Sequence, residues 1–364
     1  MATKTHHCAK CQQRATVYDV GGSKCDSCFQ QAIIHNFKTT ISRKGLAQFG
    51  DNVGVAASGG YSSQALIDLL GRSLSEREDG KTSRMKMQVT IFHIDCESPF
   101  LSSNAGIEVI QPLAAKYSFR VCTAKASHSC QQLWKQVGEC LAWKDVKDIG
   151  DLEELSRIVV YRMVAFLAKS QGCKIVFDGL NASSICRNIL TSISSGNGFA
   201  IPFEVSPADM SRRFFDISIH HPQHDITDRQ LIRYVWMRQI GFIAPNLTLL
   251  GPTSSVDSLT VSFLKDLEEQ HRSTIPNILK TSSRIVVPLQ FSHCSLCRVP
   301  VGSNGKFVST CTKVSEKNDN EEQVHALLCK ACQHRQGRMS METFQSFLTS
   351  LMVFDKALQS QDNE

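Results

Sequence analysis

Apolar positions along this chain recur in two periods, and the alternation between them outlines a fold. From Phe29 to Phe49 they fall at Ile33, Ile34, Phe37, Ile41 and Leu46, a roughly helical spacing that Asp51-Asn52 breaks. Val53 to Ala57 then reads as a short buried strand running into Ser58-Gly59-Gly60. Beyond it Ala65, Leu66, Leu69 and Leu70 carry the i, i+3, i+4 stripe of a helix laid on a sheet. Gln88 to Asp95 predicts a second strand, Ala105 to Lys116 a second helix and Phe119 to Thr123 a third strand. A long helix is expected over Leu152 to Lys169, followed by a buried strand at Lys174 to Asp178. Strands alternating with helices predict a parallel, doubly wound α/β sheet. Farther on, the Ser/Gly/Pro-rich stretch Ser192 to Asp209 reads as a surface loop and Gly251 to Ser258 as a linker. Asp228 to Ile240, Leu259 to His271 and Met341 to Leu358 have helical patterns.

Composition narrows this picture only modestly. A length of 364 residues suits two or three domains, and 42% hydrophobic with 20% charged residues argues against a largely disordered chain. No apolar run approaches the roughly 18 residues of a membrane span. The first residues lack the apolar core of a secretory signal, so a cytoplasmic location is expected. A net charge of +6 permits an acidic partner without demanding one.

The 15 cysteines change the picture more, because eight form four Cys-x-x-Cys pairs, two near each end. Cys8, Cys11, Cys25 and Cys28 make one set; Cys294, Cys297, Cys329 and Cys332 make the other. Two residues between paired cysteines let one turn present both sulfurs to one Zn²⁺, and a site of four thiolates is closed, hence structural. Free buried or redox cysteines are the alternative reading. The lone Cys96, Cys122, Cys130, Cys140, Cys173 and Cys186 read as inert buried residues. The expected division is a zinc module at 1–35, an α/β domain at 36–250, a linker and helix at 251–285, a second zinc module at 286–340, and a helix with tail at 341–364.

The segment richest in chemistry is Ser58-Gly59-Gly60-Tyr61-Ser62-Ser63 between a strand and a helix. Glycines let backbone approach a ligand closely, and a helix N-terminus with free amides suits phosphate. A plain tight turn is the other reading. The segment resembles the PP-loop of ATP pyrophosphatases, Ser-Gly-Gly-x-Asp-Ser. Gly179-Leu-Asn-Ala-Ser-Ser184 resembles the Gly-His-Asn-Ala-Asp-Asp box of PP-loop tRNA thiolases, with Asn181 and Ala182 in register. With the strand ending at Asp95 and the terminal Cys pairs, the chain is similar to the eukaryotic cytoplasmic tRNA 2-thiolation proteins. The resemblance implies a PP-loop (adenine nucleotide alpha hydrolase-like) domain flanked by two four-cysteine zinc modules. It also implies a nucleotide site, at least vestigial, at Ser58, Gly59, Gly60, Ser62, Ser63, Asp95 and Asn181.

Departures from the family pattern are as informative. Ser62 stands where the loop has Asp, Ser183 and Ser184 where the second box has two acids, and Leu180 where it has His. A hydroxyl is a weaker, neutral ligand for Mg²⁺, so metal-assisted adenylation should suffer, and ATP with Mg²⁺ stands in question as a cofactor. No central Cys-x-x-Cys exists and no cysteine lies between Cys186 and Cys294. The resemblance is therefore to the non-catalytic partner of the active thiolase, with no catalytic residue of its own. It implies a heterodimer with the active paralogue, tRNA as partner, sulfur from a thiocarboxylated ubiquitin-like carrier, and 2-thiolation of the wobble uridine of tRNAs for Lys, Glu and Gln. The rivals are an autonomous ATP-dependent tRNA-adenylating sulfurtransferase and a zinc-bearing scaffold outside thiolation.

Other features admit two readings each. Lys38, Arg43 and Lys44 could meet a tRNA backbone or form a solvated helix face. Arg212-Arg213-Phe214-Phe215 could touch RNA, but a Phe in the core is favoured. His220-His221-Pro-Gln-His224-Asp225 reads as an exposed loop, and Trp236 with Met237 as core.

Overall fold

The computed structural model describes residues 7–19, 22–75, 86–95, 105–125, 146, 148–208, 214, 216–244, 255–286, 290–302, 305–312 and 322–360. A hairpin of β1 (Val17–Asp19) and β2 (Gly22–Lys24) leads into α1 (Asp26–Lys44). That helix stops at Gly45, whose φ of 62° turns the chain left-handed while its N–H closes on the Ile41 carbonyl. The central elements follow: β3 (Asn52–Ala56), α2 (Tyr61–Leu74), β4 (Gln88–Asp95), α3 (Ala105–Lys116), β5 (Arg120–Lys125), α4 (Ile149–Ser170), β6 (Ile175–Phe177), α5 (Ala182–Ser194), α6 (Ile201–Glu204), β7 (Ser218–His220) and α7 (Asp228–Met237). The last third holds α8 (Val256–Gln270), α9 (Thr274–Ser282), β8 (Ser292–His293), β9 (Pro300–Val301), β10 (Lys306–Thr312), β11 (Glu322–Leu328), α10 (Lys330–Arg338) and α11 (Met341–Ser360).

Five parallel strands make one sheet in the order β5-β4-β3-β6-β7. Strands covered on both faces need apolar residues on both, and β4 shows this: Val89 and Ile91 enter one core, Phe92 the other. The first core packs α1, α2, α3 and α7 against the sheet through Phe29, Ile33, Phe37, Leu66, Leu70, Ile110 and Tyr234. Each such fully buried side chain contributes on the order of 1.5–3 kcal/mol. On the opposite face α4 lays Val164, Ala165 and Ala168 on Phe92 and Val176. The other side of α4 carries Leu155, Ile158, Val159 and Met163 into a further core with Cys294, Cys329, Cys332, Phe344, Phe347 and Phe354. Thus α4 is covered on two sides, which explains why Arg162 within it is 1% exposed, paired with Asp355 of α11 at 2.9 Å.

The expected strands and helices of the α/β region are present, and four readings need correction. The Ser192 to Asp209 stretch is not a surface loop where it is described. α5 runs on to Ser194, a 3-10 turn covers Gly198–Ala200, and α6 buries Ile201 and Phe203. Its apolar residues outweigh its Gly/Ser content. His220 is a buried residue of edge strand β7, not part of an exposed loop, and Gln223 just beyond is fully buried. Trp236 is 68% exposed, with the Arg233 guanidinium 4.9 Å above its ring, rather than core. Ser255 to Ser258 is the N-terminal capping box of α8, not linker. Phe214 is buried and stacks on Tyr161, while Arg212, Arg213 and Phe215 lie outside the described residues.

Candidate functional site

Two groups of four cysteines each bring their sulfurs within 4.8 Å of one another: Cys8, Cys11, Cys25 and Cys28, and Cys294, Cys297, Cys329 and Cys332. All eight are free thiols. The local backbone of the two is the same. In each first pair the leading Cys N–H reaches a carbonyl five residues on, Cys8 to Gln13 at 2.7 Å and Cys294 to Val299 at 3.0 Å. The residue four on, Gln12 or Arg298, has φ of 63° or 61° and donates back to the leading carbonyl. In each second pair Cys25 or Cys329 is the residue before a helix, and Cys28 or Cys332 lies in its first turn. A knuckle and a helix start therefore aim four sulfurs at one point, and the donor set fits one tetrahedral metal ion.

Sulfur crowding is legible in the acidities. Cys8 is drawn down to about 6, chiefly by the Cys25 backbone amide. Cys28 is pushed up to about 12 by its hydrogen bond to Cys11 and then by burial. In the second group the hydrogen bond to Cys294 leads in raising Cys332. Four thiolates cannot coexist in so small a space without a cation, so metal binding would release protons. Elsewhere burial pushes Cys173 up to about 11 and Cys186 up to about 12, which leaves both as thiols poorly suited to nucleophilic attack. Cys96, Cys130 and Cys140 lie outside the described residues.

The Ser-Gly-Gly turn sits at the carboxyl end of β3, where the sheet order changes direction and open α/β sheets place their ligand crevice. Gly59 has φ of +85°, and a Cβ there would come within 2.9 Å of the Gly106 backbone, so only glycine fits. The Gly59 N–H donates to Ser63 Oγ at 3.2 Å, and Ser63 donates to the Gly60 carbonyl at 3.0 Å. Ser58 Oγ lies 3.4 Å from the Gly60 N–H. The loop thus closes on its own hydroxyls.

Ser62 joins the loop to the second box. Its Oγ lies 2.5 Å from the Gly179 carbonyl and 3.0 Å from Gln223 Oε1, and it accepts from Asn181 Nδ2 at 3.2 Å. Asn181 also donates to Asp228 at 2.7 Å and, as the residue before α5, accepts the Ser184 N–H at 3.0 Å. Tyr61 donates to the same Asp228 oxygen at 2.6 Å. Burial first, and then Asp228, raise the Tyr61 phenol and keep it protonated. Of the expected residues, Ser58, Gly59, Gly60, Ser62, Ser63 and Asn181 therefore form one continuous site. Asp95 ends β4, pairs in register with Lys125 and lies nearly buried. Lys38, Arg43 and Lys44 do not share one helix face: about 100° per residue spreads them around α1.

Gln223, Asp228, Tyr61 and His93 were not signalled by sequence reading. His93 reaches the loop from β4, bonded through Nδ1 to the Ala57 carbonyl at 2.8 Å, and its Nε2 is buried without a partner among the described residues. Asp228 entered only as the first residue of a helix pattern, and the structure adds the Thr227 and Gln230 capping box that opens that helix. What the loop and second box offer is a network of neutral groups around Ser62, with the carboxylates of Asp228 a step away and of Asp178 at the Leu180 N–H.

Comparison with known proteins fits this geometry. A family model described as cytoplasmic tRNA 2-thiolation protein 2 matches residues 255–348. The curated protein of that name from Pyrenophora tritici-repentis is 27% identical over 158 residues, a stretch that spans 40% of this chain and 40% of that relative's length. The one from Schizosaccharomyces pombe is 20% identical over 341 residues, covering 89% of this chain and 91% of its own. Among solved structures, the U34-tRNA thiolase NcsA from Methanococcus maripaludis, with its [4Fe-4S] cluster, superposes with a TM-score of 0.58 at 13% identity, over 80% of this chain and 90% of that one. At that identity the likeness is one of fold alone. Over residues 255–348 the chain is thus similar to the family model of cytoplasmic tRNA 2-thiolation protein 2, and over almost its whole length to a curated protein of that name, with two four-cysteine clusters able to hold a metal ion.

Proposed function

We propose that the chain serves in 2-thiolation of the wobble uridine of tRNAs for Lys, Glu and Gln as a subunit that does not itself catalyse. It would bind tRNA beside an active PP-loop thiolase in the cytosol, with sulfur arriving on a thiocarboxylated ubiquitin-like carrier. The observation that carries this reading is the surroundings of Ser62. Where the PP-loop has a carboxylate to help hold Mg²⁺ at the phosphates, a neutral hydroxyl is enclosed by the Gly179 carbonyl, Gln223 and Asn181. A carboxylate placed there would face two acceptors and no cation. The names of the relatives support the pathway, and their cytoplasmic designation supports the location. In this reading both four-cysteine groups hold Zn²⁺ as structural ions, and the loop around Ser58, Gly59 and Gly60 is at most a weak nucleotide site.

Asp228 supports a second reading, since it is a carboxylate joined to the loop through Tyr61 and Asn181. An autonomous adenylating enzyme could use it. Purified chain supplied with ATP, Mg²⁺ and tRNA separates the two: no pyrophosphate release is expected, and turnover would establish the enzyme instead. In cells lacking the chain, 2-thiouridine at the wobble position of these tRNAs should collapse. Normal thiolation there would leave a zinc-bearing scaffold with another task.

A further inference from the structure

On the face of the sheet away from α2, a cavity of about 90 Å³ opens between α4, α5, the segment after β7 and the second Cys knuckle. It lies at the carboxyl ends of β6 and β7, apart from the Ser62 network. Asp178, 4% exposed, is its anchor: it accepts from Tyr161 at 2.8 Å, from the Leu180 N–H at 3.1 Å, and from His221 Nδ1 at 2.6 Å. That last bond fixes the His221 ring with Nε2 as the nitrogen left for the cavity.

The lining chemistry selects among ligands. The polar lining is held internally: Arg157 pairs with Glu154, Glu204 accepts from Ser192 at 2.9 Å, and His221 is bonded to Asp178. Among the described lining residues no unpaired Lys or Arg is left for a phosphate. Tyr161 stacked on Phe214 at 5.9 Å, together with Phe203, supplies flat apolar walls. Asn188 also lines the cavity, half-buried, and its amide makes no hydrogen bond among the described residues. The volume is well below the roughly 300–1,000 Å³ that encloses a drug-sized ligand, so a single ring fits better than a whole nucleotide. Flat walls and an open amide with both donor and acceptor are what an unstacked base needs for recognition by stacking and by its hydrogen-bonding edge.

We infer that this cavity receives one pyrimidine base of a single-stranded RNA segment, read on its edge by Asn188. The inference rests on the tRNA-binding reading above and adds where and how RNA would be held. Its test uses the full zinc-loaded chain and saturation-transfer NMR with uridine, and with ribose 5-phosphate as the base-free probe. Transfer should concentrate on the uridine H5 and H6 protons. It should fall roughly tenfold in both Asn188→Leu and Asn188→Asp, consistent with losing about one hydrogen bond. The thermal midpoint of both variants should stay at that of the parent. Equal transfer to ribose 5-phosphate, base signals indifferent to both variants, or no transfer from uridine would each overturn the inference. Whole-tRNA affinity measured in parallel separates the two failures. If tRNA binds while uridine gives none of these signals, only the cavity assignment falls. If uridine binds through Asn188 while tRNA does not bind, the assignment stands and the tRNA-binding reading falls.

Discussion

The two Cys clusters share their turn geometry and differ in what surrounds them, and the contrast separates what a sequence motif determines from what packing determines. Around the first, the buried cysteines Cys8, Cys25 and Cys28 form a group of their own, and Cys11 is exposed. Its hairpin is tied to the rest by Val17, packed on the core of α1 and α2, and by polar contacts such as Arg272 to the Tyr18 carbonyl at 3.0 Å. Around the second, Cys294, Cys329 and Cys332 share an apolar core with α4 and α11. Donors also approach its sulfurs, Asn197 Nδ2 at 3.5 Å from Cys329 and Arg335 at 3.6 Å from Cys332. Arg162, fixed by Asp355, donates to the Ser295 carbonyl inside the knuckle at 3.3 Å. Positive charge and N–H donors stabilise a dianionic tetrathiolate site. A metal at the first site would order a local module; at the second it would hold part of the main core.

The largest effect that could break this contrast is expected from Cys332→Ser. Three ligands and a hydroxyl would hold zinc poorly, and apparent binding energies of such sites reach about 10–16 kcal/mol. Because the site is continuous with the core of α4, the whole cooperative transition should weaken or vanish in urea, and zinc should fall by one equivalent. A retained midpoint with that zinc lost would mean the second site is as separable as the first. Next comes the Arg162–Asp355 pair. Arg162→Met alone should cost about 3–5 kcal/mol by leaving Asp355 unpaired beside the knuckle, and Arg162→Met with Asp355→Leu should recover most of it. Urea midpoints of the four proteins in this cycle measure the coupling, and simple additivity would show that the pair does not link α11 to α4. Smaller again is Cys11→Ser at the exposed position. One zinc equivalent should be lost and amide protection in the β1–β2 hairpin should disappear, with a main transition lower by only about 1 kcal/mol. A collapse as deep as that of Cys332→Ser would erase the distinction.

Both clusters were legible in the sequence because sulfur spacing is local: the knuckle turn and the helix start each span a few residues. The α/β core was legible for the same reason, since β3, β4 and α2 announce themselves by apolar period. Edge strand β7 was not. Its three residues, Ser218–His220, hold too few apolar positions to show a period, and buried His220 is held by a hydrogen bond between its Nδ1 and the Leu46 carbonyl, 174 residues away. Gln223 and Asp228 were hidden similarly. Their roles come from Ser62 and Tyr61, more than 160 positions earlier, and long-range contacts such as the parallel bridge of Asn181 to Gln223 and the bond from the Asp228 N–H to Ser183 bring them together. Trp236 failed in the opposite sense, since an apolar residue on a helix is exposed when, among the described residues, no other element packs on that face.

The smallest expected effect distinguishes the two sides of the sheet by acid. Asp68, fully buried on α2, resists the desolvation that would raise it because Tyr117, Tyr234 and Arg238 all donate to it; on balance it lies below its ordinary value. Asp151, near the second cluster, is raised, since burial outweighs the nearby Arg338 and Arg335. A carboxyl depressed in the folded state contributes stability that is present above its unfolded value of about 3.9 and is lost as pH falls through its folded one. One that is raised acts the other way: stability is greatest when it is protonated and declines as pH climbs from about 3.9 through the folded value. Acidification should therefore narrow the stability advantage of the parent over Asp68→Asn and widen its margin over Asp151→Asn. The parent and both variants carry the same cysteines, so zinc lost in acid cancels in each difference. Urea midpoints at a series of pH values below 6 test the pair of signs. Margins moving in the same direction would mean that the two faces of the sheet, and the clusters they adjoin, respond to acid as one body.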